Sequence, residues 1–266
     1  MSRHSFLMGT FAVILALACP SCVTASIPTK LPLTPTSSTG LRPSFTLVQQ
    51  TSIFTVYGME ADQQAVKDVA AALQEQALPI NRAMDYDYRD PITIEIFPDQ
   101  DSLDQYGMNP NMQGYYAYSG NHRIQMVSPR QPTVQLEVDY SQRVLIAVHE
   151  YVHLVNNAIN PNMPPWLNEG VAIYIGPHAL YAYVCQNMFP FEQIPLFREL
   201  EHSYDSVPAA DLFSYAAVDF IAHEYGQEKL NLLMRNPDRL EDILGIEESD
   251  FEHHWQQYMI LHYTER

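Results

Sequence analysis

Hydrophobic and polar residues in the first half of the chain follow the patterns of β-strands. Residues 45–58 are rich in β-branched side chains and predict one or two strands. In PITIEIFP, residues 91–98, three isoleucines alternate with other residues, which predicts a strand with one buried face. Residues 114–128 predict two more strands joined by a turn. Apolar positions at helical spacing in residues 61–80 predict one helix among these strands.

The second half of the chain has apolar residues at helical spacing. Asp139 and Gln142 have the spacing of a capping box, which predicts that a long helix starts there. Pro165 predicts the start of a second helix. Later helices are predicted at 211–225, 227–235 and 248–263. Strands followed by helices predict an α+β fold, with a sheet-rich part at 45–138 and a mostly helical part at 139–266.

The beginning of the chain resembles an export signal, which would occupy residues 1–25. An apolar run at 6–18 is short for a membrane span, and small residues before Ser26 suit cleavage there. A rival cleavage site before Cys19 resembles a bacterial lipoprotein box, and an uncleaved anchor is a third alternative. Residues 26–44 are rich in Pro, Thr and Ser and predict a tether. We therefore expect an exported protein, periplasmic or extracellular, with no membrane attachment unless Cys19 is lipidated.

Composition narrows the class of protein. The chain has 266 residues, of which 47% are hydrophobic, so it can form a sizeable core. Its net charge of −17 argues against binding to nucleic acids or to anionic membranes. Only Cys185 follows the predicted cleavage site, so no intramolecular disulfide is expected. Stability must then come from the apolar core, to which a bound metal ion would add.

The predicted helix after Asp139 contains the sequence HEYVH at residues 149–153. His149 and His153 lie four residues apart, so both imidazoles project from one face of a helix and can bind the same metal ion. Glu150 would project beside that ion as a general base. The flanking residues are mostly apolar, and buried polar groups need partners, which one zinc ion would supply. The alternative is a surface helix with two unrelated histidines.

A catalytic zinc ion takes a third protein ligand, and PPWLNEGVA at residues 164–172 offers Glu169. Pro165 fixes the start of this helix, and Gly170 allows another backbone to approach closely. The fifteen residues of 154–168 are enough for the chain to turn and bring Glu169 back to the histidines.

HEYVH followed by WLNEGVAIY resembles the gluzincin zinc metallopeptidases, above all the aminopeptidase N-like family and its smaller relatives. The resemblance implies a thermolysin-like fold with one zinc ion, and the family's third zinc ligand maps onto Glu169. The segment between the second histidine and this glutamate is shorter here than in aminopeptidase N or thermolysin. The spacing therefore indicates a compact relative of those two families.

Two further features of the family have counterparts in this chain. FSYAAVDFIAHEYGQEKL resembles the helix whose tyrosine donates a hydrogen bond to the tetrahedral intermediate, which implies that role for Tyr215. A core or surface role for Tyr215 is the alternative. The family also pairs an edge strand with the extended substrate. Residues 115–118 and 122–127 are both candidates for that strand.

These observations predict an exported zinc metallopeptidase, an endopeptidase by preference, that hydrolyses a peptide or protein substrate. His149, His153 and Glu169 would bind zinc, Glu150 would act as general base, and Tyr215 would stabilise the oxyanion. Two alternatives stay open: an exported zinc-binding protein with a non-catalytic role in binding or envelope assembly, and a hydrolase that acts on a non-peptide bond.

Overall fold

The structure, a computed structural model, describes four stretches of the chain: residues 44–109, 115–132, 138–176 and 194–264. All of them belong to the structural unit formed by residues 41–266. The predicted signal at 1–25, its Cys19, the tether up to residue 43 and Cys185 lie outside the described residues. In the part of the chain that is described, no helix is long and apolar enough to cross a membrane.

Five strands form one mixed sheet. They are β1 (Leu47–Gln50), β2 (Phe54–Gly58), β3 (Ile92–Phe97), β4 (Ala117–Gly120) and β5 (Arg123–Val127). Their order in the sheet is β1-β2-β3-β5-β4, with parallel pairs β2–β3 and β3–β5 and antiparallel pairs at both ends. Every strand segment expected from the sequence is present, and residues 45–58 contain two strands. The α+β fold class is confirmed at this level.

The helices follow the predicted order. They are α1 (Gln63–Ala83), α2 (Gln100–Tyr106), α3 (Tyr140–Ile159), α4 (Pro165–Ile175), α5 (Phe197–His202), α6 (Ala210–Tyr225), α7 (Gln227–Arg235), α8 (Leu240–Leu244) and α9 (Glu248–Met259). The last predicted helix, 248–263, is α-helical only to Met259 and continues as a π-helical segment at Ile260–Thr264. The short helices α5 and α8 are absent from the sequence prediction because five or six residues are too few to show a helical period.

One face of the sheet carries the N-terminal part of the core. The three isoleucines of β3 (Ile92, Ile94 and Ile96) are fully buried, as their alternation predicts. Helices α1 and α3 pack together and against the strands. Burial of each isoleucine contributes about 2 kcal/mol relative to exposure, which anchors β3 in the core.

Two contacts fix the start and the rotation of α3. The predicted capping box is present: Asp139 accepts a hydrogen bond from the backbone of Gln142, whose side chain accepts one from the backbone of Asp139. Further along, the buried Tyr151 donates its hydroxyl to Asn81 of α1 at 2.6 Å. Since Tyr151 lies two residues from His149 and two from His153, its side chain projects away from both. Tyr151 faces α1 and the sheet, and the histidines face α4.

Helix α4 is held between α3 and α6. Trp166 in its first turn is buried and packs edge-to-face against Phe197, which in turn contacts Phe251 and Trp255. Gly170 lies against α6 so closely that an added Cβ atom would be 2.4 Å from the carbonyl oxygen of Ser214. This close approach is what the glycine permits, and it sets the position of the neighbouring Glu169.

Candidate metal centre

The two histidines of α3 and the glutamate of α4 meet at one point. His149 Nε2 and His153 Nε2 are 3.0 Å apart, and Glu169 Oε2 lies 3.8 Å from the first and 3.4 Å from the second. Donors that each lie about 2.1 Å from a tetrahedral ion are separated by about 3.4 Å. The three side chains therefore form a group that could hold a metal ion, the one such group among the described residues.

The electrostatics of this group favour a positive charge among its three side chains. Burial opposes charge on His153, but the Glu169 carboxylate outweighs it and raises the pKa of His153 to about 10. Burial likewise favours neutral Glu169, yet the charge and hydrogen bond of His153 lower its pKa to about 2. Burial and the charge of His153 lower the pKa of His149 to about 4. The Glu169 carboxylate thus attracts positive charge to the two imidazoles, as a metal site requires.

Asn168 orients one of the two histidines. Its Oδ1 accepts a hydrogen bond from His153 Nδ1 at 3.0 Å and another from the Nδ2 of buried Asn156 at 2.8 Å. Asn156 Nδ2 also donates to the backbone oxygen of Asn168 at 3.1 Å. With Nδ1 acting as donor, His153 Nε2 is the atom left for a metal. The Nδ1 of His149 is buried near the backbone of Ala172 but makes no well-formed hydrogen bond.

Glu150 lies beside the three-residue group and is not part of it. The residue is buried, and this burial is the main reason why its pKa is raised. The charges of His153 and Glu169 also act on its pKa, and the hydroxyl of Ser119 on β4 approaches its carboxylate. Glu150 therefore lies between the candidate metal centre and the edge of the sheet.

Tyr215, on α6, lies in a cluster of tyrosines from several helices. It is buried, and its ring centroid is 6.3 Å from that of Tyr174 and 6.3 Å from that of Tyr263. Nearby, Asp219 accepts hydrogen bonds from Tyr258 at 2.9 Å and from Tyr263. These contacts account for the burial of Tyr215, and its catalytic role stays a prediction.

Two residues that the sequence gives no reason to select lie close to Glu169. Tyr204, in the turn after α5, donates its hydroxyl to Asp211 Oδ1 of α6 at 2.5 Å. The charge of Glu169 helps to raise the pKa of both groups, after the larger effect of burial. Asp211 is nevertheless exposed to solvent. Asp211 is therefore an exposed carboxylate at the start of α6 that is held by Tyr204.

No protein-family profile matches the sequence. No curated protein matches it either. The function has to be inferred from the side chains themselves.

Proposed function

We propose that this protein is an exported zinc-dependent metallopeptidase with a compact, thermolysin-like gluzincin fold. The observation that carries the proposal is the convergence of His149, His153 and Glu169 from two packed helices, with Glu150 beside them. Two imidazoles one turn apart and a carboxylate from the next helix are the ligand set of a catalytic zinc site with one open position. The mixed sheet before α3 and the helices after it agree with such a fold.

His149, His153 and Glu169 would hold the zinc ion. When bound, zinc would lower the pKa of a water molecule and polarise the carbonyl group of the substrate. The hydrogen bond from His153 Nδ1 to Asn168 keeps Nε2 directed at the ion.

Glu150 would move the proton. Its carboxylate is buried and has a raised pKa, so it is a stronger base than an exposed glutamate and would take a proton from the attacking water and pass it to the leaving amine. The Ser119 hydroxyl approaches the carboxylate from the β4 side and would orient it. Tyr215 is the residue that the family resemblance proposes as oxyanion donor.

Strand β4 would bind the substrate as an extended peptide. Of the two strands considered from the sequence, β4 lies at the edge of the sheet and β5 lies inside it. Within the described part of the chain β4 pairs only with β5, so its outer edge can add a further strand. A cavity of about 220 Å³ borders this edge and could take a substrate side chain; it is lined by Met108, Asn109, Tyr118, Ser119, Gly120 and Asn121.

Replacement of Glu150 by Gln tests the proposal. The variant should keep its zinc but lose hydrolysis of a diverse peptide library by a factor of at least about 100, because the base is removed and the ligands are not. Glu224→Gln is the matched control: Glu224 also contacts a histidine on a helix, His223 at 2.9 Å, but is exposed and outside the metal group.

Full activity in Glu150→Gln would show that the catalytic assignment is wrong. A zinc-loaded wild-type protein that cleaves no peptide in the library would instead support the non-catalytic zinc-binding role.

A further inference from the structure

The edge strand β4 presents different side chains to the two faces of the sheet. Ser119 pairs with Ile124 of β5, which pairs with Ile94 of β3, so Ser119 lies on the face of the buried isoleucines. Helix α3 packs against β4. Tyr151 of α3 meets Phe54 of the same sheet face edge-to-face, with ring centroids 5.5 Å apart. The helix of the candidate metal centre therefore covers one face of β4.

The opposite face of β4 contacts the segment that follows α2. Side chains alternate along a strand, so Tyr118 points away from α3. Its hydroxyl group lies so close to Gly107 that a Cβ atom added to that glycine would overlap it. Gln125, the pairing partner of Tyr118, accepts a hydrogen bond from the backbone nitrogen of Met108 at 2.6 Å and donates one to the buried Glu95. These contacts hold the segment against the sheet.

The cavity of about 220 Å³ lies between this segment and the end of β4. Gly120 keeps it open, because a Cβ atom added there would meet nothing nearer than Met108 Cε at 4.0 Å. A cavity of about 150 Å³ is enough to bind a benzene ring. The cavity beside β4 therefore has room for an aromatic side chain.

The chemistry of the cavity wall favours the same class of side chain. All six described residues that line the cavity are uncharged. A charged side chain would lose water there and find no opposite charge among them. The thioether of Met108 and the ring of Tyr118 both make favourable contacts with an aromatic ring, which an aliphatic side chain of the same size would not gain.

We propose that this cavity is a specificity pocket for one aromatic side chain of a peptide bound along β4. A peptide that pairs with the outer edge of β4 alternates its side chains between the same two faces. Its aromatic residue would enter the cavity, and the residue next to it would face α3 and the candidate metal centre. The proposal rests on the proposed metallopeptidase function for the peptide on β4, and it adds the class of side chain that the site selects.

The test measures peptide binding to full-length, zinc-loaded Glu150→Gln protein, so it needs no turnover. Fluorescent peptides of otherwise identical sequence carry phenylalanine, leucine, alanine, glutamate or lysine at one position, and that position is moved along the peptide. Fluorescence anisotropy gives the affinity of each peptide.

We expect phenylalanine at one position to improve affinity at least about tenfold over alanine, because its ring is removed from water. Leucine should give a smaller gain, and glutamate and lysine none. Adding Gly120→Leu, which fills the cavity, should remove the preference while affinity for the alanine peptide stays the same. Gln50→Leu is the matched control: it places the same side chain at an exposed position of β1, at the opposite edge of the sheet, and should keep the preference.

Met108→Ala is the second variant, and it decides the test if Gly120→Leu does not fold. It should reduce the preference for phenylalanine over leucine, because the thioether contact with the ring is lost. Leu78→Ala, which removes an exposed apolar side chain outside the cavity, is its control and should leave the preference unchanged.

A phenylalanine preference that survives both Gly120→Leu and Met108→Ala would overturn the proposal, as would the absence of an aromatic preference at every position in the parent protein. The outcome is separate from that of the proposed function. Aromatic-selective binding without hydrolysis by the wild type would keep the pocket and remove the peptidase. Hydrolysis with no aromatic preference would do the reverse.

Discussion

At the scale of single residues, the candidate metal centre depends on how its histidines are held. His153 is the better fixed of the two, because Asn168 accepts a hydrogen bond from its Nδ1 and is itself bonded to the buried Asn156. A metal site whose donors are already oriented loses little entropy when the ion binds. Asn168 is next to the proposed ligand Glu169 in the sequence, so the same turn of α4 supplies both the ligand and the residue that orients His153.

Replacement of Asn168 by Ala should weaken zinc binding by 10–100-fold, because His153 loses the partner that fixes its ring and tautomer. Competition with a chelator of known zinc affinity gives the change. Asn162→Ala is a suitable control, since Asn162 is exposed on the segment between α3 and α4 and should leave zinc affinity unchanged. An unchanged affinity in Asn168→Ala would show that this hydrogen bond does not position the ligand.

The sequence predicts part of this arrangement and misses the rest. His149 and His153 follow from helix geometry alone, because their spacing puts them on one face of α3. The hydrogen bond between His153 and Asn168 depends on how α3 and α4 pack, and no period in the sequence encodes that. The contact between Tyr204 and Asp211 could not be predicted either, because neither residue belongs to a recognisable sequence motif.

At the scale of the elements, the contact between α4 and α6 determines where Glu169 lies. The two helices approach at Gly170, where the neighbouring atoms belong to the Ser214 backbone and the Val218 side chain. A backbone carbonyl cannot rotate out of the way as a side chain can. A glycine at this position is therefore a requirement of the packing.

Gly170→Ala should destabilise the protein by about 1–3 kcal/mol, although alanine is the better helix former. The new Cβ would lie 2.4 Å from the Ser214 oxygen and 2.6 Å from Val218 Cγ2, so α4 must shift. Chemical denaturation measures the free energy of unfolding. Gly120→Ala is the control, because the nearest atom to its added Cβ would be Met108 Cε at 4.0 Å. Equal stabilities of the two variants would contradict the packing account.

Strands and helices could be predicted from the sequence where the spacing of apolar residues is regular or a capping motif marks the start. The alternating isoleucines of β3 and the capping box of α3 each appear where the sequence predicts them. The order of the strands was not predictable, because the position of β4 at the edge depends on β5 pairing with β3. That order matters for function, since it decides which strand is available to a peptide.

At the scale of the whole molecule, a metal site between α3 and α4 links the sheet to the C-terminal helices. Helix α3 packs on α1 and the strands, and α4 packs on α6. An ion bound by residues of both α3 and α4 would hold the two parts together. Because the unfolded chain does not bring the three ligands together, binding should stabilise the folded state.

Zinc at about 1,000 times its dissociation constant should stabilise the protein by about 4 kcal/mol, which corresponds to a rise in Tm on the order of 10 °C. Thermal unfolding followed by circular dichroism, with zinc and with a chelator, measures this shift. Glu224→Gln should show the full shift, because its carboxylate lies outside the group. Identical melting curves with zinc and with chelator would mean that the folded protein has no specific site.

The measurement that tests the central claim most directly is the zinc content and zinc affinity of the wild type beside Glu169→Ala. The wild type should bind one zinc ion per chain. Glu169→Ala should bind it more weakly by over about 100-fold, because a lost ligand costs more than a lost supporting hydrogen bond. Unchanged zinc affinity in Glu169→Ala would contradict the site formed by His149, His153 and Glu169.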